Sequence, residues 1–174
     1  MKPWEELKAR DLMKSPVLTV EEDVPLGEAA RRMAEHQVSG LLVTDQSGQG
    51  VGVISLSDIV SYLAGLERAL GEPGGFYRLG QPKFEEAEDL EVKEVEEAGD
   101  AEEEALWKTT VDELMAEEIL SVPLEASVAE VARVLRERRI HRVFVSGPDG
   151  PEGVISSMDL LGVLAELPMA NSGA

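Results

Sequence analysis

The chain has 174 residues and a mass of 18.8 kDa, enough for one ordinary domain or two small ones, and 43% of its residues are apolar. Its 16 basic and 35 acidic residues give a net charge of −19, which argues against binding to nucleic acid or to an anionic membrane. The absence of cysteine excludes disulfides and thiolate metal sites, and two histidines leave little scope for any metal site. No apolar segment has the length of a signal peptide core or a membrane span, so a soluble, cytoplasmic protein is expected.

The sequence contains an internal duplication. Residues 12–66 align with residues 114–167 with a one-residue gap near Val51, and about a third of the paired positions are identical. The block Gly52-Val53-Ile54-Ser55 recurs unchanged as Gly153-Val154-Ile155-Ser156. The chain is therefore predicted to fold as two similar units.

In chain order, each copy begins with a short predicted strand, at residues 17–20 and 119–122. A helix with an apolar stripe follows, on Leu26, Ala29, Ala30 and Met33 in the first copy and on Val128, Val131, Ala132 and Leu135 in the second. Ser127 and Glu130 form a capping box at the start of the second of these helices. Two short apolar runs around a turn then predict a hairpin, at residues 41–43 with 51–54 and at residues 143–145 with 154–155.

A closing helix begins at Ser57-Asp58 in the first copy and at Met158-Asp159 in the second. Its buried side is predicted to carry Ile59, Val60, Leu63 and Leu66, and correspondingly Leu160, Leu161, Leu164 and Leu167. Each copy thus predicts the order strand–helix–strand–strand–helix. The fold class is α/β, with two pseudo-symmetric repeats that gain a core by packing together.

The segment between the copies has a different composition. Residues 71–80 are rich in Gly and Pro, and residues 85–104 hold 12 acidic side chains against the single Lys93. This pattern favours a solvated linker or exposed helix, with a docking or cation-collecting segment as the alternative. The predicted domains are a first repeat with its lead-in at 1–70, a linker at 71–106, a second repeat at 107–167 and a tail at 168–174. Thr110 and Glu113 form a capping box where order is expected to resume.

No enzyme signature is present: the chain lacks a phosphate-binding loop, a zinc-protease motif and a nucleophile elbow. His36 and His141 fall at different repeat positions, so a shared catalytic or metal site is not expected, and His36 is predicted to lie on a helix surface. We therefore expect a non-catalytic protein with no catalytic cofactor and no metal.

Each closing helix is preceded by a hydroxyl and carries a carboxylate in its first turn, as Ser55 with Asp58 and as Ser156 with Asp159. A carboxylate there can accept hydrogen bonds from two adjacent hydroxyls, as acidic residues do for ribose in dinucleotide folds. The alternative is purely structural, because the helix dipole favours an acidic residue in the first turn.

The tandem arrangement, the lead-in from Met13 to Val20 and the Gly-x-x-Ser-x-x-Asp motif resemble a pair of CBS domains, the cystathionine-β-synthase-type repeats that form a Bateman module. The resemblance covers both repeats. It implies a regulatory module that binds adenosine compounds, such as AMP, ADP, ATP or S-adenosylmethionine, in clefts between the repeats, and that commonly forms homodimers. The nucleotide-binding residues that it implies are Val17, Thr19, Ser55, Asp58, Ile119, Ser121, His141, Arg142, Ser156 and Asp159.

Within that set, the serine–aspartate pairs would hold ribose, the strand residues would line the base pocket, and His141-Arg142 would reach phosphates. The first repeat departs from the pattern, because Ser39-Gly40 stands where the second has His141-Arg142. Leu42 and Phe144 also replace a proline that is frequent in the family. The two sites are therefore expected to differ, with Lys14 or Arg10 as other sources of positive charge. The alternative for His141-Arg142 is a charged surface strand edge.

Together these features predict a non-catalytic sensor of adenosine-containing ligands that signals to a separate effector protein. The alternative is a dimerisation or docking scaffold with vestigial ligand clefts, which contacts its partner through the acidic linker.

Overall fold

The computed structural model of the chain describes residues 4–64 and 99–165. Within these ranges the six strands are β1 (Thr19–Glu21), β2 (Gly40–Thr44), β3 (Gly50–Ser55), β4 (Ser121–Pro123), β5 (Arg142–Gly147) and β6 (Gly150–Ser156). The helices of these residues are α1 (Ala9–Leu12), α2 (Leu26–His36), α3 (Leu56–Leu63), α4 (Gly99–Lys108), α5 (Val128–Arg138) and α6 (Ser157–Ala165), with short 3-10 turns at Trp4–Glu6 and Val111–Glu113. The class is α/β, and both repeats have the predicted order strand–helix–strand–strand–helix.

The described residues form two compact units. The first unit comprises residues 18–64 and 99–119, and the second comprises residues 4–17 and 120–165. Each unit therefore contains the sheet of one repeat and the lead-in segment that precedes the other. The predicted boundary at 70 lies outside the described residues, as do Leu66, Leu167 and the predicted tail. The predicted boundary at 107 falls within helix α4.

The first unit has a three-stranded sheet in the order β1-β2-β3, parallel between β1 and β2 and antiparallel between β2 and β3. Its strands supply β-branched residues that suit a pleated, half-buried surface. The core lies between this sheet and helices α2 and α3, where the largest fully buried side chains are Leu26, Met33, Leu41, Ile54 and Ile59.

The second unit repeats this topology in the order β4-β5-β6, with the same parallel and antiparallel pairings. Phe144, Ile155 and Val131 are fully buried in its core. Helix α5 begins with the predicted capping box, in which the backbone N–H and the hydroxyl of Ser127 both donate to Glu130 Oε2 at 2.7 Å. That box satisfies donors that the first helical turn leaves without partners.

The two lead-in segments cross the sheets at equivalent places. In the second unit the backbone of Lys14 exchanges two hydrogen bonds with Val154, at 2.9 and 3.0 Å. In the first unit the backbone of Ala116 exchanges two with Val53, at 2.9 and 2.8 Å. Lys14 and Ala116 are thus structural equivalents, as the repeat alignment places them.

Helix α4 opens the second described range at Gly99, ahead of the predicted capping box, and packs against α2. The ring of Trp107 lies about 3.1 Å from the position that a Cβ atom on Gly27 would occupy, so glycine permits this approach. The predicted capping box of Thr110 and Glu113 is confirmed. The exposed position of His36 is confirmed as well.

The predicted burial of the closing helices is wrong in part. Ile59 is buried, but Val60 on α3 and Leu161 and Leu164 on α6 are more than half exposed. Ala132 on α5 is also exposed. The helical spacing indicated an apolar surface, but an amphipathic pattern does not state what covers that surface. None of the helices in the described ranges is long and apolar enough to cross a bilayer.

Candidate functional site

The first serine–aspartate pair lies where β3 ends and α3 begins. Ser55 is the N-cap of α3: its hydroxyl accepts a hydrogen bond from the backbone N–H of Asp58 at 3.3 Å. In return Asp58 Oδ2 accepts from the backbone N–H of Ser55 at 2.9 Å and from its hydroxyl at 2.5 Å. Both residues are buried. This is a capping box, so Oδ2 of Asp58 has a structural role at the start of α3.

The second pair repeats this geometry between β6 and α6. Asp159 Oδ2 accepts from the backbone N–H and the hydroxyl of Ser156, at 2.7 and 2.5 Å, and the N–H of Asp159 donates to the serine hydroxyl at 3.3 Å. This pair is only partly buried. In both units the hydrogen bonds of the capping box go to Oδ2 of the aspartate, and Oδ1 takes no part in them.

Oδ1 of Asp159 contacts a residue from the lead-in segment. The ammonium group of Lys14 lies 2.9 Å from it, and the Lys14 side chain is 79% exposed while that of Asp159 is 14% exposed. Desolvation raises the pKa of Asp159, but the hydrogen bonds from Ser156 and Lys14 together outweigh it, so the pKa lies below its ordinary value. Asp159 is therefore held as a carboxylate.

Arg142 is the first residue of β5, and His141 directly precedes it. Both lie beside the Ser156–Asp159 pair. Arg142 is the direct cross-strand partner of Ser156, and the carbonyl of His141 accepts a hydrogen bond from the N–H of Ser157 at 2.8 Å. Burial lowers the pKa of the Arg142 guanidinium. The interpretation of His141-Arg142 as a surface strand edge is wrong, because β5 is the central strand of its sheet.

The first unit has uncharged residues at the same places. Gly40 is the cross-strand partner of Ser55, and the carbonyl of Ser39 accepts from the N–H of Leu56 at 3.1 Å. Backbone geometry is therefore repeated between the two units, whereas side-chain charge is not.

The predicted strand residues are divided between the two units. Thr19 begins β1 in the first unit, and Ser121 begins β4 in the second; both are exposed. Val17 belongs to the second unit and is half-buried. Ile119 lies against Gly50, at the opposite end of β3 from Ser55, so within the first unit it does not adjoin the serine–aspartate pair.

The sequence names Lys14 and Arg10 as possible sources of positive charge but does not tell which of them adjoins the site. In the structure Arg10 pairs with Glu125, whereas Lys14 contacts Asp159. The signal in the sequence was the difference between Lys14 and Ala116 at one repeat position.

Among proteins of known structure, the chain resembles the CBS domain of a CBS domain containing membrane protein from Sphaerobacter thermophilus, with a TM-score of 0.66 and 29% identity over 91% of this chain and 88% of that one. It also has the fold of the CBS domain pair of protein MJ0100, whose structure contains 5′-methylthioadenosine and S-adenosyl-L-methionine, with a TM-score of 0.62 and 18% identity over 91% and 96% of the two chains.

Among curated sequences, the uncharacterised protein MK0525 of Methanopyrus kandleri is 38% identical over 56 residues, which are 32% of this chain and 29% of that protein. The chain spans about a third of the length of the curated relatives that it matches first. The family model of the CBS domain matches residues 9–65 and 111–166, more than half of the chain. With two such repeats in tandem, the chain belongs to the CBS-domain family.

Proposed function

We propose that this protein is a non-catalytic regulatory module that binds adenosine-containing ligands through Asp58 and Asp159. The observation that carries the proposal is the repeated serine–aspartate pair at the strand-to-helix junction of each unit. In both pairs the helix cap occupies Oδ2, so the carboxylate is already fixed in position by its own helix.

A carboxylate held in this way suits the two adjacent hydroxyls of a ribose. An ionised carboxyl group only accepts hydrogen bonds, and its two oxygens offer about four acceptor positions. The cap uses acceptor positions on Oδ2 of each aspartate, and Oδ1 of Asp159 contacts the exposed ammonium group of Lys14, which can move aside for a ligand. A CBS pair with the same fold binds 5′-methylthioadenosine and S-adenosyl-L-methionine, both of which contain a ribose. We infer that an adenosine compound is the regulatory ligand here.

The output of such a module is a change in affinity for a separate effector protein, driven by the difference in ligand affinity between two states of the module. We propose that the module acts as a homodimer in the cytoplasm. The exposed apolar side chains of α3 and α6 favour the dimer, because large apolar side chains on one helix face commonly mark a protein–protein contact.

A scaffold with vestigial ligand sites is the second candidate. The observation in its favour is that Ser127 and Glu130 form the same kind of capping box at α5, away from the candidate site. If Asp58 and Asp159 act only as caps, they should behave like Glu130. The acidic segment that this candidate needs lies mostly outside the described residues.

Glu130 therefore supplies the matched control for the test. We would measure thermal unfolding of the wild type and of the Asp58→Ala, Asp159→Ala and Glu130→Ala variants, each with and without AMP, ATP, S-adenosylmethionine and 5′-methylthioadenosine. Each variant should lose about 1 kcal/mol from its broken cap. A ligand at a hundredfold excess over its Kd should stabilise the wild type by about 2.7 kcal/mol, and Glu130→Ala by the same amount.

The sensor proposal requires that an aspartate variant lose this ligand-dependent shift while Glu130→Ala keeps it. If no adenosine compound stabilises the wild type even at millimolar concentration, the proposal is wrong and the scaffold interpretation gains support.

A further inference from the structure

The two candidate sites have the same backbone but different charge. Three positions surround each serine–aspartate pair: the lead-in residue, and the two residues at the start of the central strand. In the second unit these are Lys14, His141 and Arg142, and in the first unit they are Ala116, Ser39 and Gly40. The pairing of strands fixes this equivalence, because Lys14 and Ala116 form the same isolated bridge and Arg142 and Gly40 have the same cross-strand serine.

We propose that the sites differ in ligand charge: Lys14 makes the Asp159 site select a phosphorylated adenosine ligand, whereas the Asp58 site takes an adenosine compound without phosphate. This inference rests on the proposed function, since it assigns a ligand class to each of its two sites. It makes Lys14 a specificity-determining residue that acts through charge.

The position of Lys14 allows its ammonium group to contact both the Asp159 carboxylate and the phosphate of a ligand. Its backbone is fixed to β6 through the two hydrogen bonds to Val154, so the side chain starts from a defined point beside Ser156. Its ammonium group contacts Oδ1 of Asp159, the oxygen that the cap does not use. An ammonium carries three N–H donors, so one group can contact both the carboxylate and a nearby phosphate oxygen. Because the side chain is 79% exposed, it can move towards a ligand at little cost in packing.

Basic side chains favour an anion at this site. The Lys14 ammonium pairs with Asp159 but stays largely exposed, and Arg142 lies across the strand from Ser156. Both stand in a chain whose net charge is −19, which otherwise repels phosphate. A phosphate can share the Lys14 ammonium with Asp159, whereas a cationic ligand such as S-adenosylmethionine gains no contact of this kind.

The first unit has no basic side chain at the three equivalent positions. The side chains of Ala116, Ser39 and Gly40 carry no charge, so they offer a phosphate neither an ion pair nor a bidentate contact. A ligand that contains ribose but no phosphate does not need a cationic partner, so the lack of one at that site does not weaken its binding. We therefore expect 5′-methylthioadenosine or S-adenosylmethionine at Asp58 rather than AMP.

AMP and adenosine separate these effects, because they share the base and the ribose and differ only in the phosphate. Their Kd values would be measured by isothermal titration calorimetry at low salt, where charge effects are least screened. The full chain would be used as wild type and as Lys14→Gln, Ala116→Lys, Asp58→Asn and Asp159→Asn. Lys108→Gln is the matched control, since Lys108 is also an exposed lysine in an ion pair, with Glu104, and its loss changes the net charge equally.

We expect Asp159→Asn to remove the AMP site and Asp58→Asn to retain it. Lys14→Gln should raise the Kd for AMP about tenfold, because the variant loses the charged hydrogen bond between the Lys14 ammonium and the phosphate. The Kd for adenosine should stay nearly unchanged, because adenosine has no phosphate and never forms that bond. Lys108→Gln should change neither value. Ala116→Lys should give the Asp58 site a new preference for AMP over adenosine.

The inference is wrong if Lys14→Gln leaves the ratio of the two Kd values unchanged, or if AMP binding survives in Asp159→Asn. Either result would leave adenosine binding, and thus the proposed function, in place. If the wild type binds neither AMP, adenosine, 5′-methylthioadenosine nor S-adenosylmethionine, the proposed function fails and the inference fails with it.

Discussion

Met13 occupies the space beside Gly153 that any larger residue would need. A Cβ atom at Gly153 would lie 2.5 Å from Sδ of Met13, far inside van der Waals contact. In the first unit a Cβ atom at Gly52 would lie 2.7 Å from Sδ of Met115 and 2.8 Å from the carbonyl oxygen of Ala116. The glycine of each Gly-Val-Ile-Ser block therefore exists because a lead-in segment crosses the strand there.

Replacing these glycines by alanine should destabilise the protein. Gly52→Ala meets a backbone oxygen that is fixed by the hydrogen bonds between Ala116 and Val53, so we expect a loss of about 1–3 kcal/mol in the free energy of unfolding. Gly153→Ala meets the side chain of Met13, including its Cβ atom, and should cost a similar amount or less. Urea unfolding followed by circular dichroism would measure both.

Gly162 on α6 is the control, because no atom lies within 4 Å of the position of its Cβ. Gly162→Ala should raise the free energy of unfolding by about 0.5–1 kcal/mol, as alanine is a better helix former. Equal effects of alanine at Gly52 and Gly162 would contradict the crossing of the lead-in segment.

The repeat topology was predictable because it depends on local signals. Alternating apolar runs and turn residues such as Gly48 define the hairpins, and the capping residues Ser127 and Thr110 mark helix starts. The exchange of lead-in segments was not predictable, since a short extended segment can pair with either of two sheets of the same topology. Only the three-dimensional pairing of Lys14 with Val154 decides this.

The candidate site was predictable in the same partial way. The serine–aspartate motif fixed the positions of Ser55 and Asp58 through hydrogen bonds over three residues. The contact of Lys14 with Asp159 joins residues far apart in the chain, so no local pattern reports it. The exposed faces of α3 and α6 escaped prediction because an apolar stripe looks the same in sequence whether a core or a second molecule covers it.

The lowered pKa of Asp159 makes a specific contribution to stability at neutral pH. A carboxyl group whose pKa is lower in the folded than in the unfolded state stabilises the fold fully above its unfolded pKa of about 3.8. That contribution disappears as the pH falls through the lower folded value. Wild-type protein should therefore lose more stability than Asp159→Asn between pH 6 and about pH 3.

The measurement is the difference in the free energy of unfolding between the two proteins, followed across that pH range by urea titration. Because the other acidic groups are common to both, their contributions cancel in the difference. Lys14→Gln should reduce the difference, since Lys14 is one cause of the lowered pKa. A difference that does not change with pH would show that the contacts with Ser156 and Lys14 do not stabilise the carboxylate.

The exposed faces of α3 and α6 predict a homodimer that charge can disrupt. Val60 is 55% exposed and Leu161 53% exposed. If these side chains are buried against a second copy, an aspartate at either position would place an unpaired charge in an apolar contact. Val60→Asp and Leu161→Asp should then weaken dimerisation by more than about a hundredfold.

Sedimentation equilibrium at micromolar concentration would measure the assembly state of the full chain. The wild type should sediment at twice the chain mass of 18.8 kDa, and both variants near that mass itself. Ala132→Asp on α5 is the control, because Ala132 is also exposed but lies on neither face, and it should leave the dimer intact. A wild type that sediments as a monomer would reject the homodimer. The apolar faces of α3 and α6 would then be contact surfaces for a different protein, and the scaffold interpretation would have to use them.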